Sequence, residues 1–280
     1  MSEFALTRRG VLVGSAVAAA AMSVTGAASA DTLAEIKKRG YLRVATEDDY
    51  QPFEFTKDGK PTGYDQELLD TFEKTAPFKV HQDIIPWTGI LPGVTTGKYD
   101  VAVTAILVTL ERMKTLDFTS PVAESVDYYL KRKSDNRIHS IKDLSGLSCG
   151  VEAGSAMLKM LPQLGDMLKP TGGKLGKIVD YQGYPEAYED LALGRVDYVV
   201  NTQLSLASIV KAKPDTFALG QPVSKPTYIA WAVMKGNKDL LGLLNKFLLG
   251  TRKDGSMYAL QKKWFDLTFE HMPEVPSAVV

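Results

Sequence analysis

Two stretches decide the fold: Gly97–Val103, "GKYDVAV", and Gly194–Val200, "GRVDYVV". Each runs glycine, basic residue, any residue, aspartate, and then an apolar, β-rich run. Upstream of the first, "GILPGVTTGKYD" has the look of a short helix closed by Gly97, and "VAVTAIL" after it of a buried strand. Upstream of the second, "PEAYEDLALGR" is a helix with Pro185 in its first turn, followed by the strand "VDYVVNT". Further out the alternation continues. "YLRVATE" and "FKVHQDIIP" are strands around the helix "YDQELLDTFEKTA", whose Leu68, Leu69 and Phe72 fall at helical spacing. "LSCGVEAG" and "KIVDYQGY" are strands around the helix "SAMLKMLPQL". A strand "YIAWAVMKG" and the helices "KDLLGLLNKFLLGTRKDG" and "SMYALQKKWF" close the chain. Alternating strands and helices predict an α/β protein with parallel sheets wrapped by helices. The repeated strand–helix–G[KR]xD–strand order predicts two similar lobes. In such sheets small ligands bind beyond the carboxyl ends of the strands.

Composition narrows the function. The 280 residues carry 33 basic and 33 acidic side chains, so there is no basic surplus for a phosphate backbone, and nucleic acid is not an expected partner. Residues 1–30 stand apart: Arg8 and Arg9, an apolar stretch from Val11 to about Val24, then Ala28-Ser29-Ala30. That is the layout of a cleavable export signal, too short in its apolar core to span a bilayer comfortably. Thr7-Arg8-Arg9-Gly10-Val11-Leu12 is similar to the twin-arginine export motif. Cleavage after Ala30 leaves 31 basic and 32 acidic side chains and a periplasmic protein. The single cysteine, Cys149, forms no intrachain disulfide and sits in an apolar setting that predicts a buried thiol. The three histidines, at 81, 139 and 271, are scattered, and no metal-site or nucleotide motif occurs. No metal or cofactor is expected.

Seven segments, in order and at consistent spacing, resemble one family: "LRVATEDDYQPFEF", "GKPTGYDQELLDTF", "IPWTGILPGVTTGKYDVAV", "TLERMKTLDFTSP", "IHSIKDLSGLSCGVEAGS", "YPEAYEDLALGRVDYVV" and "LGTRKDGSMYALQKKWF". The resemblance is to the periplasmic solute-binding proteins of polar amino acid ABC transporters. It implies the type II periplasmic-binding-protein fold, with two sheets, parallel or mixed, joined by two crossover strands. It implies lobe 1 over 31–123 completed by 228–280, lobe 2 over 124–227, and closure of the two on a solute. It also implies a monomer that delivers a small carboxylate-bearing solute to an ABC permease in the inner membrane.

The same resemblance assigns candidate ligand contacts. Arg112 matches the arginine of "[ST]-x-x-R", which holds the ligand's carboxylate; a guanidinium fork suits a carboxylate bidentately. The alternative for Arg112 is a structural ion pair with Glu47, Asp48, Asp49 or Glu111. Tyr50, Phe53 and Trp87 follow the first two strands and match the aromatic walls, with core packing the alternative for each. Thr104 and Ala105 follow the strand of the first repeat. Ser155, with the amides of Ala156 and Met157, begins a lobe 2 helix and supplies a second anion contact. Asn201 and Thr202 end the strand of the second repeat. Here the chain departs from the family: Thr202 stands where the ammonium-binding aspartate belongs, and a hydroxyl compensates a buried ammonium poorly. Two accounts follow. Either the solute lacks the usual α-ammonium, or its cation lies elsewhere, against Glu47 or Asp48.

The fold also serves cyclohexadienyl dehydratases, which need a carboxylic proton donor shortly after that aspartate position. "NTQLSLAS" offers none, so a binding protein without catalytic activity is expected over such an enzyme.

Overall fold

The computed structural model describes residues 32–278. The export signal and its cleavage point after Ala30 lie outside the described residues. Among these, no helix is long and apolar enough to cross a membrane.

Helix α1 (Leu33–Arg39) opens the described chain, with Thr32 and Glu35 forming a capping box and Gly40 closing it. It leads into β1 (Tyr41–Glu47), the meander β2 (Asp49–Tyr50), β3 (Glu54–Lys57) and β4 (Lys60–Thr62), then α2 (Tyr64–Thr75) and β5 (Lys79–Ile85). Next come α3 (Trp87–Thr95), β6 (Val101–Ala102), β7 (Leu116–Phe118), β8 (Ala123–Ser125) and β9 (Asp127–Arg132). The second half holds β10 (Cys149–Glu152), α4 (Ala156–Leu168), β11 (Ile178–Tyr181), α5 (Tyr184–Ala192), β12 (Tyr198–Thr202), α6 (Gln203–Ala212) and β13 (Phe217–Pro222). The chain closes with β14 (Thr227–Ile229), β15 (Ala232–Met234), α7 (Lys238–Lys253) and α8 (Ser256–Phe265).

These strands form two five-stranded sheets of the same plan. The first is ordered β5-β1-β6-β15-β7 and the second β11-β10-β12-β9-β13. In each, four strands run in one direction and the fourth in the order, β15 or β9, runs antiparallel to both its neighbours. Among the described residues, the one strand pair joining the two halves is β8 with β14, antiparallel, Ala123 opposite Ile229 and Ser125 opposite Thr227. The fold is therefore two lobes with two crossover strands. Tyr64 Oη and Gln261 Nε2 both donate to the Val122 carbonyl, 2.7 and 2.9 Å away, and so pin the first crossover to α2 and α8.

The paired G[KR]xD motifs do the same work in both lobes. Gly97 and Gly194 adopt φ of 75° and 78°, the left-handed backbone that ends the preceding helix. Asp100 then accepts from the Arg43 amide at 2.7 Å and pairs with the guanidinium groups of Arg43 and Arg39. Asp197 accepts from the Ser148 amide at 2.8 Å and pairs with Arg137 at 2.7 Å. In each lobe the aspartate ties the start of the central parallel strand to its neighbour.

Two expectations are altered. The strand read over "VAVTAIL" is only Val101–Ala102, because the chain beyond it turns into the cleft. "YIAWAVMKG" is divided between the crossover strand β14 and the sheet strand β15. The segment "DDYQPFEFTKDGKP" folds as the three-stranded meander β2-β3-β4. Cys149 is a buried free thiol, as expected.

Candidate ligand-binding cleft

The carboxyl ends of the parallel strands from both sheets converge on one place. Glu47 ends β1, Ile85 ends β5 just before Trp87, Glu152 ends β10 and Thr202 ends β12. Between the lobes lies a chamber lined by Glu47, Tyr50, Trp87, Ala105, Leu107, Arg112, Glu152, Ser155, Ala156 and Met157. The lobes are closed on one another around it. Its volume is about 10 Å³, room for roughly one water. Tyr50 of lobe 1 bridges to lobe 2, donating to Asn201 Oδ1 and lying 3.3 Å from Thr202 Oγ1. At the rim, Glu111 and Lys159 form an interlobe ion pair of 2.5 Å, exposed at both ends.

Arg112 begins a 3₁₀ turn (Arg112–Lys114), its amide donating to Thr109 Oγ1 at 3.3 Å. Its guanidinium lies 4.9 Å from the Trp87 ring centre, a cation–π stack, and Nη1 donates to the Leu107 carbonyl at 3.0 Å. Among the described residues no carboxylate forms an ion pair with it, and Glu111 is engaged by Lys159. The structural-ion-pair alternative thus finds no partner. Loss of water lowers the affinity of Arg112 for its proton, to a pKa of about 10, with nearby Glu111, Tyr50, Glu152 and Glu47 opposing the shift. A guanidinium at that value remains charged at neutral pH.

The remaining candidates separate. Trp87, Tyr50, Ala105, Ser155, Ala156, Met157 and Glu47 line the chamber with Arg112. Ser155 is the N-cap of α4, its Oγ accepting from the Leu158 amide at 3.1 Å, so its hydroxyl serves the helix first. Thr202 caps α6 in the same manner and hydrogen-bonds Ser205 Oγ at 3.1 Å. Asn201 donates to Tyr188 Oη at 2.8 Å and faces a neighbouring cavity of about 230 Å³ beyond Tyr50. That cavity is larger and its charged residues, Asp49 and Lys213, are exposed, whereas the smaller chamber holds Arg112 and the buried carboxyls of Glu47 and Glu152.

Asp48 is exposed and does not line the chamber. Phe53 is fully buried against Phe265 and Tyr64, in the lobe 1 core. The Thr104 hydroxyl is spent on Glu54, which in turn lies against Asp65, itself held by Trp231 Nε1 at 2.8 Å. Thr104 is thus one layer behind the chamber.

One cleft residue went unnamed in the sequence: Glu152. Its signal was available, a glutamate inside the otherwise apolar strand "CGVE". It is 2% exposed and faces Glu47, itself 5% exposed, across the lobes. Burial pushes the Glu47 carboxyl well up, and the neighbouring Glu152 and Glu54 charges push it further. Burial also raises Glu152. The missing carboxylate in "NTQLS" therefore does not leave the cleft without one; two enter from β1 and β10.

A solute-binding protein that closes two α/β lobes over a ligand is the class this fold and cleft define. Residues 42–267 match the family described as bacterial extracellular solute-binding proteins, family 3, and the chain belongs to it. It is 30% identical over 248 residues to the L-cystine-binding protein TcyJ of Escherichia coli K12, covering 88% of this chain and 90% of TcyJ. Among solved structures it resembles an amino acid ABC transporter substrate-binding protein, AbpA of Streptococcus pneumoniae, bound to L-arginine (TM-score 0.75, 26% identity, 84% of this chain and 98% of that one). It also resembles an ancestral amino acid-binding protein, AncCDT-1, a precursor of cyclohexadienyl dehydratase (TM-score 0.75, 30% identity, 84% and 100% covered). The fold is that of type II periplasmic binding proteins.

Proposed function

We propose that this protein captures a small amino-acid-like solute between its lobes and hands it to an ABC permease. The solute's carboxylate is held by Arg112 above the Trp87 ring. One observation carries this: a desolvated guanidinium in the interlobe chamber, charged and without a carboxylate partner. A buried cation without an anion is costly, and a ligand carboxylate removes that cost. The start of α4, with the amides of Ala156 and Met157, faces the same chamber and favours negative charge. The lobe limits proposed are 31–123 with 228–280, and 124–227, and the protein works as a monomer exported by a signal cut after Ala30. Capture, without chemistry, is its role.

The test is a thermal-shift panel of amino acids, opines, betaines and simple carboxylates on wild type and R112A. Carboxylate-bearing solutes stabilise wild type and leave R112A unmoved; equal stabilisation of both would falsify the clamp. The proton held by the raised carboxyls of the cleft gives the dehydratase reading one specific point in its favour, since a protonated carboxyl is a proton donor. Incubation with prephenate separates the readings: a binding protein yields no phenylpyruvate.

A further inference from the structure

Arg112 accounts for one end of the solute and leaves two groups of the chamber unused. Glu47 ends β1 in lobe 1 and Glu152 ends β10 in lobe 2, so they belong to opposite lobes. Both line the chamber with Arg112 and both are buried. Oε1 of Glu152 is fully buried and meets no nitrogen or hydroxyl donor among the described residues. What shares the chamber with it from the other lobe is the Glu47 carboxyl, whose ionisation the Glu152 charge opposes. Two acids sharing a site inside a protein do not both ionise; they hold one proton between them. A carboxyl pair of this kind offers two oxygens from each jaw to a donor-rich cation and nothing to an apolar group.

We propose that Glu47 and Glu152 together form the receptor for a cationic group of the solute, split between the lobes and completed only on closure. The inference rests on the reading of Arg112 as the carboxylate clamp, and with it defines the solute class: a carboxylate at one end and an ammonium, guanidinium or amidinium at the other. An α-ammonium is not required, because Thr202 offers that position only a hydroxyl already engaged by α6 and Tyr50. ω-Amino and ω-guanidino carboxylates meet both conditions.

Binding and protonation are then linked. When the cation enters, the pair gives up its shared proton to solvent and both glutamates carry charge against it. The surrounding groups set the direction. Asp48, Glu54 and Glu152 make ionisation of Glu47 harder, and Arg112 makes that of Glu152 easier. Tyr50 and Tyr188 are themselves held neutral by burial. Without a cation, raising the pH strips the shared proton and sets two carboxylates face to face, which opposes closure. With a cation the same ionised pair favours closure. Glu47 and Glu152 thereby distinguish a loaded cleft from an unloaded one.

Two measurements test this on the full mature chain. In calorimetric titrations at neutral pH, in phosphate and in Tris, 5-aminopentanoate and 4-guanidinobutanoate bind at least tenfold more tightly than pentanoate, and the apparent heat changes with buffer as a proton is released. E152Q loses the tenfold preference. Pentanoate binding as tightly as the ω-cationic probes, or a preference retained by E152Q, overturns the proposal. The second measurement needs no ligand: small-angle scattering from pH 5.5 to 8.5. The wild-type radius of gyration increases as the pair loses its proton, and that of E152Q stays constant; superimposable profiles overturn the proposal whether or not any probe binds. R112A keeps the pH-driven expansion, moved to higher pH because the cation favouring ionisation is gone. Failure of the clamp therefore appears in R112A titrations, and failure of the glutamate receptor in E152Q.

Discussion

Arg112 has lost most of its water without gaining an acid, and its conduct on substitution follows. R112A removes the ligand's anchor and a costly unpaired charge together, so solute binding is lost while ligand-free stability stays within about 1 kcal/mol of wild type. Calorimetry and urea denaturation check the two halves. R112K keeps the charge but loses the planar fork and the stack on Trp87, and binding falls at least tenfold. W87L keeps the site apolar but removes the π face, for a loss on the order of 1 kcal/mol in binding. At this scale the sequence was informative where residue type sufficed, as for Arg112, Trp87 and Tyr50. It was silent where the partner is distant in the chain. Nothing near Thr104 shows that Glu54 will occupy its hydroxyl, and nothing near Phe53 shows that Phe265 will cover it. Glu152 was legible as an anomaly, a charged residue in an apolar strand, but its facing partner lies 105 positions back, at Glu47.

At the scale of elements, helix starts and tight glycine positions are the sensitive points. S155A removes the hydroxyl that caps α4, at a cost of about 1 kcal/mol, read from denaturant midpoints. Gly63 precedes α2 at φ of 125°, and a Cβ there would stand 2.2 Å from the Phe53 carbonyl oxygen. G63A therefore costs about 3 kcal/mol or prevents folding, because the meander and α2 must move apart. The central strands and most helices were visible from periodicity, since β1, β10 and β12 carry long buried runs. The meander was not: its strands are 2 to 4 residues long, too short to show a period. β6 was overestimated because an apolar run entering a cleft has the same composition as one continuing a sheet.

At the scale of the molecule, buried acids set the pH response. Burial raises Glu47, Glu54, Asp65, Asp127 and Glu152, with Asp65 and Asp127 at about 7. Each binds its proton more tightly folded than unfolded, so the stability they contribute is complete below the ordinary carboxylate range and declines as pH rises through their raised values. Asp135, held down to about 2 by Arg137 and Arg132, acts oppositely and matters only in strong acid. Calorimetric melting of ligand-free protein should thus be highest near pH 4 and fall steadily toward pH 8; a profile rising across that range would contradict the burial of these acids.

The position of β15 has one more consequence. It lies between β6 and β7 in the first sheet, although more than 100 residues of chain separate it from either. The second sheet, by contrast, draws all its strands from one continuous stretch. A ribosome that has delivered residues up to Pro222 has supplied every strand of lobe 2, while lobe 1 still lacks β15. The half that supplies Arg112 is thus the last to be finished, and a truncation between Pro222 and Ala232 should leave a folded lobe 2 attached to an incomplete lobe 1.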